Sequence, residues 1–250
     1  MEPYLSVIVP AYNEESRIAP TLQTLHNYLC RQDYAWEVIV VVDGARDQTM
    51  ARIKEFAAGK VGVHYIDRKQ NRGKGFTVRQ GMLQATGSIR LFTDADNSTD
   101  IAHFDKMRPL FDSGYQVVIC SRDPKDAAGA RQAVPQPLLK RILGNAGNLF
   151  IQAMAVPGVW DTQCGFKAFS AGAAARIFSI SRIDRWGFDI EALALARRFN
   201  YKIGIVPAYW VDNAETHVTL ANYVDALFDT VRVRWGLMTG RYKGRSEPEP

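Results

Sequence analysis

The sequence predicts an α/β protein built on a mostly parallel central sheet flanked by helices. Three observations carry that prediction. Short β-rich runs alternate with helix-like segments through the first half of the chain. The run from Glu37 to Val42 is apolar after its first residue, as a strand covered on both faces should be. Polar clusters fall at the carboxyl ends of the strands, the edge where open α/β sheets bind ligands.

Taken in order, the strands are Leu5 to Pro10, Trp36 to Val42, Val61 to Ile66, Ser88 to Thr93 and Tyr115 to Cys120. Between them, Glu14 to Leu29, Asp47 to Ala58, Gly73 to Ala85 and Asp100 to Asp112 carry helical spacing, with Asn13 and Asp47 as cap residues. Right-handed crossovers then bring the loops after the strands to one edge. Past Cys120 the pattern changes. The polar, proline-bearing stretch Ser121 to Gln136 reads as a long loop. Leu138 to Val156 follows as a helix, Gly165 to Phe169 as a strand, Ile190 to Phe199 as a helix and Lys202 to Pro207 as a short strand. A last helix is marked by Leu220, Val224, Leu227, Phe228, Val231, Trp235 and Met238, one apolar stripe at helical spacing. The tail 244–250 reads as disordered.

Composition narrows the class. Of 250 residues, 47% are apolar and 23% charged, which is ordinary for a folded globular chain and excludes fibrous or disordered polymers. The balance of 31 basic to 26 acidic side chains gives +5, too mild for a dedicated nucleic-acid binder. Cys30, Cys120 and Cys164 are odd in number and lack zinc spacing, and the four histidines are scattered, so neither a disulfide framework nor a Cys/His metal site is indicated. The start lacks a secretory pattern and no apolar run reaches the length of a membrane span, so a cytoplasmic location is expected.

Chemistry concentrates at Thr93-Asp94-Ala95-Asp96-Asn97. Two carboxylates one residue apart at a strand end can offer hard oxygen ligands to Mg²⁺ or Mn²⁺, which would neutralise a diphosphate. The same residues also suit a solvated turn ahead of the Asp100 helix. Two further polar clusters, Pro10-Ala11-Tyr12-Asn13-Glu14-Glu15 and Asp43-Gly44-Ala45-Arg46-Asp47, share that sheet edge and favour the site reading.

With Asn71-Arg72-Gly73-Lys74-Gly75, these clusters resemble the family 2 glycosyltransferases of GT-A fold, a Rossmann-like fold for nucleotide-diphospho-sugar chemistry. The resemblance implies that Pro10, Ala11, Tyr12, Glu14, Asp43, Lys74, Asp94 and Ala95 bind the nucleotide. It also implies that Asp94 and Asp96 hold the metal and that Asp43 accepts from a base imide N–H, as uracil or guanine would provide. Where many relatives carry Asp-Asp-Gly, this chain has Val42-Asp43-Gly44. A narrower likeness, to dolichyl-phosphate β-glucosyltransferases and their polyprenyl-phosphate counterparts, rests on Asp161-Thr162-Gln163-Cys164-Gly165-Phe166-Lys167 and Arg185-Trp186-Gly187-Phe188-Asp189-Ile190-Glu191.

That likeness implies an inverting transfer of a hexose, glucose from UDP-glucose or else mannose from GDP-mannose, to a polyprenyl or dolichyl phosphate. Arg122 and Arg131 would hold the acceptor phosphate, or else stand as solvated loop charges. Asp161, Gln163 and Trp186 would line the sugar and acceptor pocket. Asp189 stands either as a catalytic carboxylate or as an acid at a helix start facing the macrodipole. A nucleotide-sugar binder without turnover is the alternative from another class. No GxGxxG follows a strand, which excludes a dinucleotide oxidoreductase.

The expected organisation is one catalytic domain over 1–243, with a nucleotide-binding half at 1–120, an acceptor half at 121–217 and an amphipathic helix at 218–243. Two helices raise the question of a membrane. The last one carries its stripe beside Arg232, Arg234, Arg241, Lys243 and Arg245, with Trp235 and Tyr242 suited to headgroup level. Leu139, Ile142, Leu143, Ala146, Leu149, Phe150 and Ala153 form a second stripe beside Lys140 and Arg141. Each stripe fits either packing on the sheet or an anionic membrane surface on the cytosolic side.

Overall fold

Seven strands form one sheet in the order β3-β2-β1-β4-β7-β5-β8. In this computed structural model, which describes residues 2–133, 138–211 and 220–242, they are β1 (Leu5–Ala11), β2 (Trp36–Asp43), β3 (Val63–Arg68), β4 (Ile89–Thr93), β5 (Val117–Ser121), β7 (Phe166–Ser170) and β8 (Ile203–Pro207). β7 runs antiparallel to both β4 and β5, while the other pairings are parallel. All seven residues of β1 are buried, as a central parallel strand requires, and its one hydroxyl, Ser6, donates to Glu37 at 2.6 Å. The expected mostly parallel α/β sheet is the one observed.

Alternation along the strands feeds two cores, one on each face. Val7 and Val9 join Val38, Leu91 and Phe166 beneath α1 (Ile18–Leu29), α2 (Thr49–Ala57) and α4 (Phe104–Asp112). Ile8 joins Val41, Phe92 and Phe169 beneath α3 (Lys74–Gln84), α6 (Ala171–Ile180) and α7 (Phe188–Arg198). The strand order departs in opposite directions from β1, toward β2 on one side and β4 on the other. The crevice between the ends of β1 and β4 is therefore the topological switch point, where such sheets bind ligands.

Several boundaries differ from the sequence reading, each for a local reason. α1 begins at Ile18 and not near Glu14, because Asn13 sits in the left-handed region at φ 53° and breaks the approach to the helix. β3 begins at Val63, after Gly62 at φ 84°, and leaves Val61 exposed. The unanticipated α6 follows β7 directly: Ser170 ends the strand, and its hydroxyl accepts from the Ala173 amide as a helix cap. Within the expected loop at 121–136, β6 (Arg131–Gln132) pairs in parallel with β9 (Tyr209–Trp210). Residues 134–136, His217, Lys243, Arg245 and the tail 244–250 lie outside the described residues.

The two amphipathic helices, α5 (Leu138–Met154) and α8 (Leu220–Met238), pack on one another, and the described part of each stripe, Leu227 excepted, is exposed. On α8, Val224, Phe228, Val231, Trp235 and Met238 are exposed, at 64% for Phe228, 61% for Trp235 and 69% for Met238. The core side is instead Ala226, Thr230 and Val233, with Leu227 partly buried. Ala146, Leu149, Phe150 and Ala153 of α5 are likewise exposed, while the side chains of Leu139, Lys140, Arg141, Ile142, Leu143 and Leu220 lie outside the description. Sheet packing is therefore the wrong reading for the described part of both stripes, Leu227 excepted. Among the described residues, no helix is long and apolar enough to cross a membrane.

Tyr242 corrects an expectation in the opposite direction. It is not at a headgroup position: only 4% exposed, it donates its hydroxyl to Glu191 at 2.7 Å. Glu191 also accepts from the Arg182 and Ile183 amides, and its burial pushes the carboxyl above the usual range. Tyr242→Phe removes one donor from a buried acceptor, so it is expected to destabilise the fold by about 1–3 kcal/mol. A urea unfolding midpoint checks this.

Candidate active site

Two loops at the crevice are stitched together by reciprocal hydrogen bonds. Beyond Pro10 and Ala11, which are buried in β1, Asn13 Oδ1 accepts from the Arg46 amide at 2.9 Å and the Glu14 amide donates to Thr49 Oγ1 at 2.7 Å. Glu15 Oε2 accepts from the Gln48 amide, and the Glu15 amide donates to Asp47. Asp47 Oδ1 takes the Thr49 amide and hydroxyl, the capping role expected of it. Asn13 instead bridges the two loops and caps nothing. The Glu14 carboxylate pairs with Arg17 at 2.7 Å, and Tyr12 stands exposed at the rim.

Asp43, buried at the end of β2, accepts from the Arg72 amide at 2.9 Å and the Gly73 amide at 2.8 Å, and pairs with Arg68 at 3.2 Å. It thereby fixes the loop that leads into Lys74. Gly44 permits this close approach, since at φ 67° a Cβ would lie 2.7 Å from the Asn71 nitrogen. The residue that the resemblance assigns to base reading thus also holds a loop, through three acceptor contacts.

At the end of β4, Asp94 Oδ1 is buried and lies 2.5 Å from Lys74 Nζ as an ion pair. The other oxygen, Oδ2, crowds the position a Cβ on Gly165 would take. A side chain at 165 would force that carboxylate to move. Asp96 Oδ1 accepts from the Ser98 amide, and the Ala95 carbonyl accepts from Thr21 Oγ1, so the acidic turn is anchored to α1. Two carboxylates one residue apart at a strand end offer hard oxygens that suit Mg²⁺ or Mn²⁺, ions that complete their shells with water and phosphate. The two aspartates belong to no cluster of three or more acidic, His or Cys ligands among the described residues. Burial alone would lower the Lys74 ammonium, but Asp94, Asp189 and Asp96 outweigh it and hold it above its usual value.

The second half of the chain closes round this turn. Asp189, 5% exposed in the first turn of α7, accepts from Lys167 at 2.7 Å. Burial pushes its carboxyl up, against the pull of Lys167 and Lys74. Trp186 is half-buried, with its ring centroid 5.5 Å from Lys74 Nζ, and half-buried Gln163 lies two residues before Gly165 on the same turn. Sequence reasoning assigns Lys167 no role, although a signal is present: it is a lone charge in a strand that is otherwise apolar up to Ser170.

Arg122 and Asp161 are brought together rather than left open to separate ligands. The guanidinium meets Asp161 through Nε and Nη2, both at 2.8 Å, and the Arg122 amide adds a third bond. Burial alone would raise the Asp161 carboxyl, but Arg122 holds it below the usual range, and the arginine is stabilised in its charged form in return. Arg131 lies apart from this pair, exposed, with its guanidinium 4.7 Å from the centroid of the Tyr209 ring. The adjacent Trp210 bridges to Thr99, just beyond the acidic turn.

A family model described as "Glycosyl transferase family 2" matches residues 6–177. A "Dolichyl-phosphate beta-glucosyltransferase" of Dictyostelium discoideum is 31% identical over 97% of this chain and 77% of its own length. The human protein of that name is 30% identical over 96% of this chain and 77% of its own. Glucosyl-3-phosphoglycerate synthase of Mycobacterium tuberculosis, solved with uridine diphosphate, superposes with a TM-score of 0.67 at 19% identity, over 98% of this chain and 82% of that one. That last likeness concerns the fold, which is GT-A.

Gly165→Ala drives a methyl group into the Asp94 carboxylate. Calorimetric titration with Mn²⁺ in the presence of UDP is expected to give an affinity weaker by about tenfold or more, the scale on which outer residues of metal sites act.

Proposed function

This chain belongs to glycosyl transferase family 2, and on that premise we propose that it transfers glucose from UDP-glucose to a polyprenyl or dolichyl phosphate with inversion. The observation that carries the reading is the Asp94 carboxylate at the end of β4, crowded by Gly165 and ion-paired with Lys74. Names of the curated relatives favour glucose as the sugar and dolichyl phosphate as the acceptor class. The catalytic unit is 1–243 taken as one domain.

Mg²⁺ or Mn²⁺ held by Asp94 and Asp96 would supply electrostatic neutralisation of the diphosphate. The chain's own groups do the rest. The donor lies over Pro10, Ala11, Tyr12 and Glu14, with Ala95 at the acidic turn. Asp43 retains acceptor capacity at Oδ2 for a base imide while fixing the loop before Lys74. Lys74 then offers a cation to the departing UDP. The nucleophile is an oxygen of the lipid phosphate, already ionised at neutral pH with a second pKa of about 6. It forms a bond to the anomeric carbon as the bond to the β-phosphate oxygen breaks, so no general base is required, and Asp189 orients the reactants. Arg131 and the outer edge of Arg122 counter the repulsion between the two phosphate-bearing substrates. Asp161, Gln163 and Trp186 shape the pocket between them.

A lipid acceptor places the enzyme at a membrane surface on the cytosolic side. The exposed stripe of α8 supports this, because Arg232, Arg234 and Arg241 are exposed alongside it and suit anionic headgroups. Flotation at low salt with phosphatidylglycerol vesicles is expected to carry the wild-type chain and to leave behind a folded Phe228→Glu/Trp235→Glu variant. A wild-type chain that stays with the bulk would contradict it.

The activity test offers radiolabelled UDP-glucose and GDP-mannose in parallel with a polyprenyl phosphate and Mn²⁺. Transfer from UDP-glucose is expected, falling about 100-fold or more in Asp96→Asn through lost charge stabilisation. Transfer from GDP-mannose alone would replace the donor, and nucleotide binding without transfer would leave a non-catalytic binder.

A further inference from the structure

Lys167 presents a physical problem that the transfer chemistry does not answer. Its side chain is 0% exposed on β7, paired across the sheet with Phe92 on β4 and Ile119 on β5. Lysine is almost never fully buried without partners, because an ammonium loses its hydration there. In many proteins a buried ion pair can be exchanged for apolar residues without loss of stability. Its presence here is therefore poor evidence of a purely stabilising role.

Its partners indicate another role. Nζ donates to the Cys164 carbonyl at 2.5 Å and to Asp189 Oδ1 at 2.7 Å, and it lies 5.4 Å from the Phe92 ring centroid. Cys164 immediately precedes Gly165, the residue against which the Asp94 carboxylate rests. Asp189 opens α7 on the other side of the site. One ammonium thus ties the turn backing Asp94 to the first turn of α7.

We propose that Lys167 is a positioning residue for the reaction centre: from beneath the sheet edge it sets both the Gly165 turn, and through it Asp94, and the rotamer of Asp189. It touches no substrate. The resulting order of charges is Lys167, Asp189, Lys74, Asp94, each opposite in sign to the next. The inference rests on the transferase reading for what the site does, but its structural content is tested through metal binding.

The experiment compares the wild type, Lys167→Met and Lys167→Met/Asp189→Leu. Each is measured by Mn²⁺ titration in the presence of UDP, by UDP-glucose KM and kcat, and by urea midpoint. Lys167→Met is expected to weaken Mn²⁺ affinity about tenfold and to lower kcat about 10- to 100-fold, as loss of an outer-sphere partner does. The donor KM should stay within about threefold, since uniform binding is untouched. Because the single change leaves Asp189 buried without its hydrogen-bonded ammonium, the double variant removes that charge and recovers the urea midpoint. Mn²⁺ affinity in the folded double variant should remain weakened. Wild-type Mn²⁺ affinity in the folded double variant, or wild-type kcat and Mn²⁺ affinity in Lys167→Met, would overturn the proposal. Should the wild type bind UDP and Mn²⁺ but transfer no glucose, the functional reading fails, while weakened Mn²⁺ binding in both variants still upholds the role of Lys167.

Discussion

The close approach of the Asp94 carboxylate to the space that a side chain at Gly165 would fill is the constraint from which the site is built. It exists because β7 is inserted antiparallel between β4 and β5, which returns the chain to the end of β4 from the opposite direction. A parallel strand there would begin at the far edge of the sheet. With β7 reversed, the turn before it faces the acidic turn after β4, and a residue with any side chain would displace the carboxylate. The first half of the chain supplies the charges, and the second half supplies the surface that aims them.

Electrostatic order follows from the same arrangement. Buried carboxylates are tolerable only when paired or hydrogen-bonded, and here each has identifiable partners: Asp43 the loop amides and Arg68, Asp161 the Arg122 fork, Asp189 the Lys167 ammonium. Asp94 has the Lys74 ammonium. Two carboxylates one residue apart at a topological switch point, with a lysine beside them, suit a divalent cation and a phosphate together. Arg122 and Asp161, assigned separately by resemblance to phosphate and sugar, act first on each other and brace the segment after β5 against the turn ahead of β7. Arg131 instead lies over the Tyr209 ring on the exposed side.

Much of this was legible in sequence because it depends on local pattern. Period-two burial, cap residues and the position of Asp94 and Asp96 after an apolar strand are visible without coordinates, and so is the stripe of α8. Its direction was not. Which side of an amphipathic helix meets the core depends on small residues such as Ala226 and Thr230, and Phe228 and Trp235 were left outside. The two-residue strands β6 and β9 have no period to detect. Pairings across the chain were equally hidden: Tyr242 with Glu191, Lys167 with Asp189 and Arg122 with Asp161 are separated by 51, 22 and 39 positions. None of these pairings leaves a local pattern in the sequence.

The central claim is that the second half of the chain aims Asp94 so that it and Asp96 together hold a divalent cation on the donor diphosphate. Anomalous scattering at the manganese edge, from crystals grown with UDP and Mn²⁺, tests it most directly. The account predicts one peak in contact with carboxylate oxygens of both Asp94 and Asp96 and with the diphosphate, with Gly165 still against Asp94. A diphosphate seated without a peak there, or a peak bound elsewhere in the crevice, would contradict it.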